Sequence, residues 1–274
     1  MPIINDFPGP GRQGFRPIAL ALAAGIACTS PVAAQDSGKH LTLNGIMSGT
    51  VAPNGLGFVS LSATDNGWAS GDTEGAMALG FGLGDADEGI GMQFTVNLVS
   101  LGAPGNGVGD SGYLSLKFSK RLGERPVYLG LQIDHLAPWG DASMRVVDVL
   151  IPPGPNDPGL YLVENVDPSV KLAATWFTQM DIRGDSYPLM FTLGAGNRVR
   201  NFERDPGMFA GVGMGLSQNL AASIAWNGDY ADLGLGYRIG GNLFLNATLN
   251  DAFDMEDQQR VTLTVSHTFN AFGG

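Results

Sequence analysis

The stretch Ile90-Gly91-Met92-Gln93-Phe94-Thr95-Val96-Asn97-Leu98 decides the fold. Successive side chains of an extended strand point to opposite sides, so Ile90, Met92, Phe94, Val96 and Leu98 share one face while Gly91, Gln93, Thr95 and Asn97 share the other. One face is apolar and the other polar. A helix, repeating about every 3.6 residues, would scatter both sets around its axis.

The same split runs outward along the chain. Leu114, Leu116 and Phe118 oppose Tyr113, Ser115 and Lys117; Val127, Leu129, Leu131 and Ile133 oppose Tyr128, Gln132 and Asp134. Toward the carboxyl end, Leu233, Leu235, Tyr237 and Ile239 oppose Asp232, Gly234, Gly236 and Arg238. Leu243, Leu245, Ala247 and Leu249 then oppose Phe244, Asn246, Thr248 and Asn250, and Val261, Leu263 and Val265 oppose Thr262, Thr264 and Ser266. With weaker runs at 58–63, 75–83, 169–178, 188–196, 208–216 and 220–226, the count reaches about twelve strands. An even number closes an antiparallel barrel, and strands of about 9 to 11 residues suit a tilted membrane wall.

A secreted soluble β-sandwich also has alternating strands, and connection lengths separate the two. Segments 84–89, 120–125, 179–187, 217–219 and 240–242 fall on one rim and are short, whereas 64–74, 100–111, 136–168, 197–207 and 251–260 fall on the other and are mostly longer. The short 227–230 connection is an exception on the long-loop side. Short turns on one rim and long loops on the other is the outer-membrane arrangement. Phe81, Phe118, Trp176, Tyr237 and Phe269 fall in the apolar phase near the short-turn ends, as an interfacial girdle would, and Trp226 falls near the opposite rim.

The amino terminus reads as a secretory signal. Arg12 and Arg16 precede an apolar run from Pro17 to Cys28 and then Val32, Ala33 and Ala34. That run is shorter than the roughly 20 apolar residues that cross a bilayer, so it reads as a leader over 1–34, removed after Ala34. Cys28 is the one cysteine and leaves with it, which removes disulfide and thiolate chemistry. Residues 35–55 are then an N-terminal periplasmic segment or an extra strand, and 56–272 are one barrel domain. Removing Arg12, Arg16 and Asp6 takes the net charge from −11 to −12, which argues against a nucleic-acid partner.

Glycine supplies 41 of 274 residues, about twice its ordinary share of roughly 7%. Many glycines fall on the polar phase in rows: Gly80, Gly82 and Gly84, then Gly211, Gly213 and Gly215, then Gly234 and Gly236. Either such rows sharpen strand curvature or something fills the space they leave, and the 136–168 connection is the expected filler. Its flanks, 144–151 and 160–163 around Pro152 to Gly159, would form a further hairpin and raise the count to fourteen.

Between the leader and the end of the chain the polar phase carries Gln93, Asn97, Lys117, Gln132, Asp134, Lys171, Asp232, Arg238, Asn246 and Asn250 as lumen candidates. Both charge signs occur, to act on solutes in a bore or to pair across a closed interior. No catalytic site, cofactor or metal is expected. His135 and His267 fall near opposite rims and His40 precedes the first strand, so the three do not make one site. Asp85, Asp87 and Glu88, and Asp251, Asp254, Glu256 and Asp257, read as solvated loop charge without the spacing of a calcium loop. Arg198, Arg200 and Arg204 make the 197–207 loop a basic patch, read in the same way or as a contact for lipid phosphate.

The end Val261-Thr-Leu-Thr-Val-Ser-His-Thr-Phe269-Asn-Ala-Phe272-Gly-Gly274 and the stretches from Gly80 to Asn97 and Gly109 to Lys117 resemble the porin-like outer-membrane β-barrel proteins of Gram-negative bacteria, within a subgroup without assigned function. The resemblance implies an aromatic-ended final strand read by the barrel-assembly machinery, here followed by two glycines after Phe272. It also implies outer-membrane lipid and lipopolysaccharide as surroundings, and association of copies stays open. The expected function is a passive channel for small polar solutes; a non-conducting structural or adhesive barrel is the alternative.

Overall fold

The alternating runs form a closed antiparallel barrel in the computed structural model, which describes residues 39–65, 73–101, 107–151, 160–199, 206–256 and 259–272. The leader, with Cys28, lies outside the described residues. Fourteen strands follow in chain order. They are β1 (Leu56–Asp65), β2 (Thr73–Leu83), β3 (Gly91–Leu101), β4 (Gly112–Arg121), β5 (Val127–Trp139), β6 (Met144–Ile151) and β7 (Leu160–Asn165). The second half has β8 (Ser169–Ile182), β9 (Asp185–Asn197), β10 (Pro206–Gly215), β11 (Leu220–Trp226), β12 (Ala231–Ile239), β13 (Leu243–Asn250) and β14 (Arg260–Asn270).

Twelve of them make the wall. Each pairs with its chain neighbours, β5 pairs with β8, and β1 pairs with β14 from Leu56↔Asn270 to Asp65↔Val261, which closes the sheet. Closure leaves no edge in the wall, so all its main-chain groups are satisfied without water, as a membrane requires. The hairpin expected inside 136–168 exists, but β6 and β7 pair only with each other as a separate two-stranded sheet on the long-loop rim. The barrel therefore keeps twelve strands and not fourteen.

Pleating fixes what faces where. Leu61, Leu79, Leu129, Leu172, Leu193, Leu233, Leu235 and Leu263 all stand exposed on the outside, while Ser60, Thr95, Ser115, Thr175, Thr192 and Thr248 are buried within. A water-soluble sandwich would bury the leucines; this wall is inside out, as a lipid-facing surface must be. The tightest short-rim turn, Arg183-Gly184 between β8 and β9, has both residues at positive φ. That geometry matches strand twist, and glycine accepts it without penalty.

Candidate functional site: the filled lumen

Residues 39–55, expected as a periplasmic segment or extra strand, lie inside the barrel. Leu41, Leu43, Ile46, Met47, Val51 and Ala52 are buried, as are His40, Thr42, Asn44, Ser48 and Thr50. Both ends sit at the short-turn rim: the His40 N–H donates to Ser217 O at 3.0 Å, and the Gly55 N–H to Gly82 O at 3.0 Å. The middle reaches across the bore to β12, where an ideal Cβ on Gly45 would stand 2.5 Å from Asp232 Oδ2. The segment thus enters from the short-turn rim, crosses the bore and returns to start β1.

The glycine rows are its seat. A Cβ at Gly211 would lie 2.8 Å from Ile46 Cδ1, one at Gly236 2.8 Å from Thr42 Cγ2, and one at Gly215 2.5 Å from His40 O. Missing side chains on β10 and β12 make the room that residues 40–46 occupy. Among the described residues the filler is this segment; from the 136–168 connection, expected to fill the bore, Ala142 packs with Val99 and Tyr113 at the long-loop rim.

Wall side chains meet the segment's main chain. The Asn44 N–H donates to Ser223 Oγ at 3.2 Å, the Gly49 N–H to Thr175 Oγ1 at 2.7 Å and the Ala52 N–H to Gln93 Oε1 at 2.9 Å, while Ser119 Oγ donates to Gly49 O at 2.7 Å. A buried main chain outside any ladder needs such partners, and the polar inner face supplies them. Large inward residues complete the packing: Leu41, Leu43, Ile46 and Met47 form one apolar cluster with Tyr128, Phe177, Met190 and Phe209.

A second polar zone occupies the upper β3, β4, β5 and β8. Asp134, 2% exposed, accepts Gln132 Nε2 on both carboxylate oxygens at 2.8 Å and faces Lys171 Nζ at 3.4 Å. Asn97 Nδ2 donates to Ser115 Oγ at 2.9 Å, and Lys117 is buried beside them. Of the remaining sequence candidates, Gln93 and Asp232 touch the segment, Asn246 accepts Thr42 Oγ1 at 3.4 Å, and Arg238 donates to Gln218 O at the short-turn rim. Asn250 belongs to a third zone, where Thr262 Oγ1 donates to its Oδ1 at 2.8 Å. There Ser62, Thr262 and Thr264 are half-buried, and Phe58, 1% exposed, points inward over its cross-strand partner Gly80. On the outer face, Trp176, Trp226, Tyr237 and Phe269 are exposed, and Phe81 and Phe118 are half-buried.

The histidines are apart. His40 is in the lumen at the short-turn rim, His135 is buried and stacked on Tyr113 at 4.1 Å, and His267 is exposed on β14. Asp251, expected as solvated charge, is fully buried: its carboxylate accepts the N–H groups of Met255 at 2.7 Å and Glu256 at 2.9 Å, holding the loop. Arg198 is likewise buried, 3.5 Å from Asp167, whereas Arg200, Arg204 and Asp257 lie outside the described residues. Neither buried group could be distinguished from loop charge by composition alone.

In architecture the chain is a closed, twelve-stranded antiparallel β-barrel. Solved structures similar to it include the outer membrane protein Omp33 of Acinetobacter baumannii, with 13% identity, TM-score 0.44, and coverage of 79% of this chain and 98% of that one. The COG4313 outer membrane channel from Pseudomonas putida F1 is similar at 14% identity and TM-score 0.42, covering 80% and 97%. Outer membrane phospholipase A from Escherichia coli is similar at 13% identity and TM-score 0.39, covering 82% and 100%. No protein-family model and no curated protein matches the sequence.

Proposed function

We propose that the protein is an outer-membrane channel for small polar solutes whose bore is closed in this conformation by residues 39–55 and Phe58. The observation that carries the reading is the inversion of the wall: exposed leucines outside, hydroxyls, amides and paired charges inside. An apolar belt of this kind is stable only against hydrocarbon, and a polar interior serves water and polar solutes. Polar lining favours solutes that keep part of their hydration, and Lys117, Asp134, Lys171 and Arg238 are the charges placed to act on them. A structural or adhesive barrel is the second reading, favoured by the filled lumen itself.

Ion current across planar lipid bilayers tests the proposal. The folded full chain is expected to conduct intermittently, with ion selectivity altered by Lys171→Gln or Asp134→Asn. A barrel that inserts, migrates faster on gels before boiling than after, and never conducts would decide for the structural reading.

A further inference from the structure

We propose that the inner wall, at β3 and β4 and from β8 to β12, is a peptide-binding site that recognises main chain, with residues 40–52 as its resident and displaceable ligand. The inference goes beyond conduction and rests on the lumen geometry alone. Between this segment and the wall, the short hydrogen bonds run to main-chain atoms: Asn44 N to Ser223, Gly49 N to Thr175, and Gly49 O from Ser119. The bond from the Thr42 side chain to Asn246 is longer, at 3.4 Å. Contacts to N–H and C=O groups are available to any peptide that keeps glycine where Gly45 and Gly49 stand, since a Cβ there would meet Asp232 Oδ2 at 2.5 Å and Tyr128 O at 2.4 Å.

The glycine rows point the same way. Gly213 and Gly215 leave room for the segment's main chain, where a Cβ would meet Thr42 O at 2.1 Å and His40 O at 2.5 Å, while Gly211 and Gly236 receive side chains of Leu43, Ile46 and Thr42. The wall does not need its occupant in order to close: all twelve strands pair without it, so withdrawal leaves the ladder whole. The tether enters and leaves at one rim, which lets the segment slide out toward the short turns. The ligand class is therefore a short extended peptide with small and aliphatic side chains.

A tethered resident competes at an effective concentration near the millimolar range, which masks the site from added peptide. Leu43→Ser with Ile46→Ser removes two apolar anchors of the resident and leaves the wall untouched. Thr42→Cys with Gly236→Cys locks it instead: the Thr42 Cβ stands 3.0 Å from an ideal Cβ on Gly236, about half an ångström inside the usual disulfide spacing. The probe is a fluorescent peptide of the Leu41 to Ala52 sequence, read by anisotropy on the detergent-folded full chain. The weakened variant is expected to bind it about tenfold more tightly than the unmodified chain, the oxidised lock not to bind it, and a peptide shuffled everywhere but at its two glycines to compete within about tenfold.

Absence of binding to a weakened variant that still shifts on boiling would overturn the proposal, as would equal binding to oxidised and reduced locks. A shuffled peptide unable to compete would overturn main-chain recognition. Current recorded on the same samples separates this inference from the channel: current without peptide binding sinks the peptide site alone, and peptide binding without current sinks the channel alone.

Discussion

The main-chain N–H of Gly49 donates to the hydroxyl of Thr175 at 2.7 Å, although Gly49 belongs to no strand and Thr175 lies inside the barrel wall. Thr175 is fully buried and also meets Thr192 Oγ1 at 2.6 Å, so its hydroxyl ties two wall strands to the segment. Thr175→Val keeps the shape and strips the acceptor, leaving the Gly49 N–H buried without a partner. Such a loss costs about 1–3 kcal/mol. Hydrogen exchange is expected to speed up by one to two orders of magnitude at Gly49 and its neighbours, with the strands unchanged.

Gly213 is a sharper test of the seat. A valine there would drive its Cβ to 2.1 Å from Thr42 O, a main-chain atom that cannot turn aside as a side chain can. Overpacking of this kind costs roughly 1–3 kcal/mol and acts directly against the seated segment. Limited proteolysis of Gly213→Val should cut within 39–55 while the boil-dependent gel shift of the barrel persists. Uncut protein would place the segment's hold elsewhere.

Acid should loosen the segment at its entry. His40 sits under Phe244 beside Arg238, with Lys39 over the Tyr187 ring, and burial first and Arg238 second lower its pKa from 6.5 to about 4. Seated His40 is thus neutral where a released His40 would already bind a proton. Seating is at full strength above about pH 6.5 and weakens as the pH falls toward about 4. Protease cutting within 39–55, measured from pH 7 to 4, is expected to rise across that window in the unmodified chain and to stay flat in His40→Gln.

The lipid-facing surface predicts an asymmetry between the two faces of the wall. Leu235 is 53% exposed on the outside of β12, and an arginine in its place would meet hydrocarbon at a cost of about 2–4 kcal/mol near the bilayer centre. Thr264 on β14 points into the half-buried polar zone, where the same substitution finds amides and water. Urea unfolding of the barrel in lipid vesicles should therefore show Leu235→Arg markedly destabilised and Thr264→Arg changed by less than about 1 kcal/mol.

Period two made the wall legible: the alternating run from Ile90 to Leu98 becomes β3 with its polar set inward, and Leu220 to Trp226 and Leu243 to Asn250 are strands with the bounds their alternation gives. The glycine rows left two readings, sharper strand curvature or a filler in the lumen, and residues 40–46 occupy the room they make. What filled it was hidden, because Leu41-Thr42-Leu43-Asn44 alternates as a wall strand does and lies beside the leader. A signal was nevertheless present: Phe177, Met190 and Phe209 stand in the inward phase of otherwise polar or glycine-rich faces, and such residues need apolar company. The buried roles of Asp251 and Arg198 depend on contacts distant in sequence or on loop shape, which residue type alone does not carry.

Single-channel current through the Thr42→Cys/Gly236→Cys barrel shows whether the chain's own segment closes the polar bore. The oxidised barrel is expected to be silent, with current appearing when reductant cuts the lock. Equal current before and after reduction would contradict closure by residues 39–55.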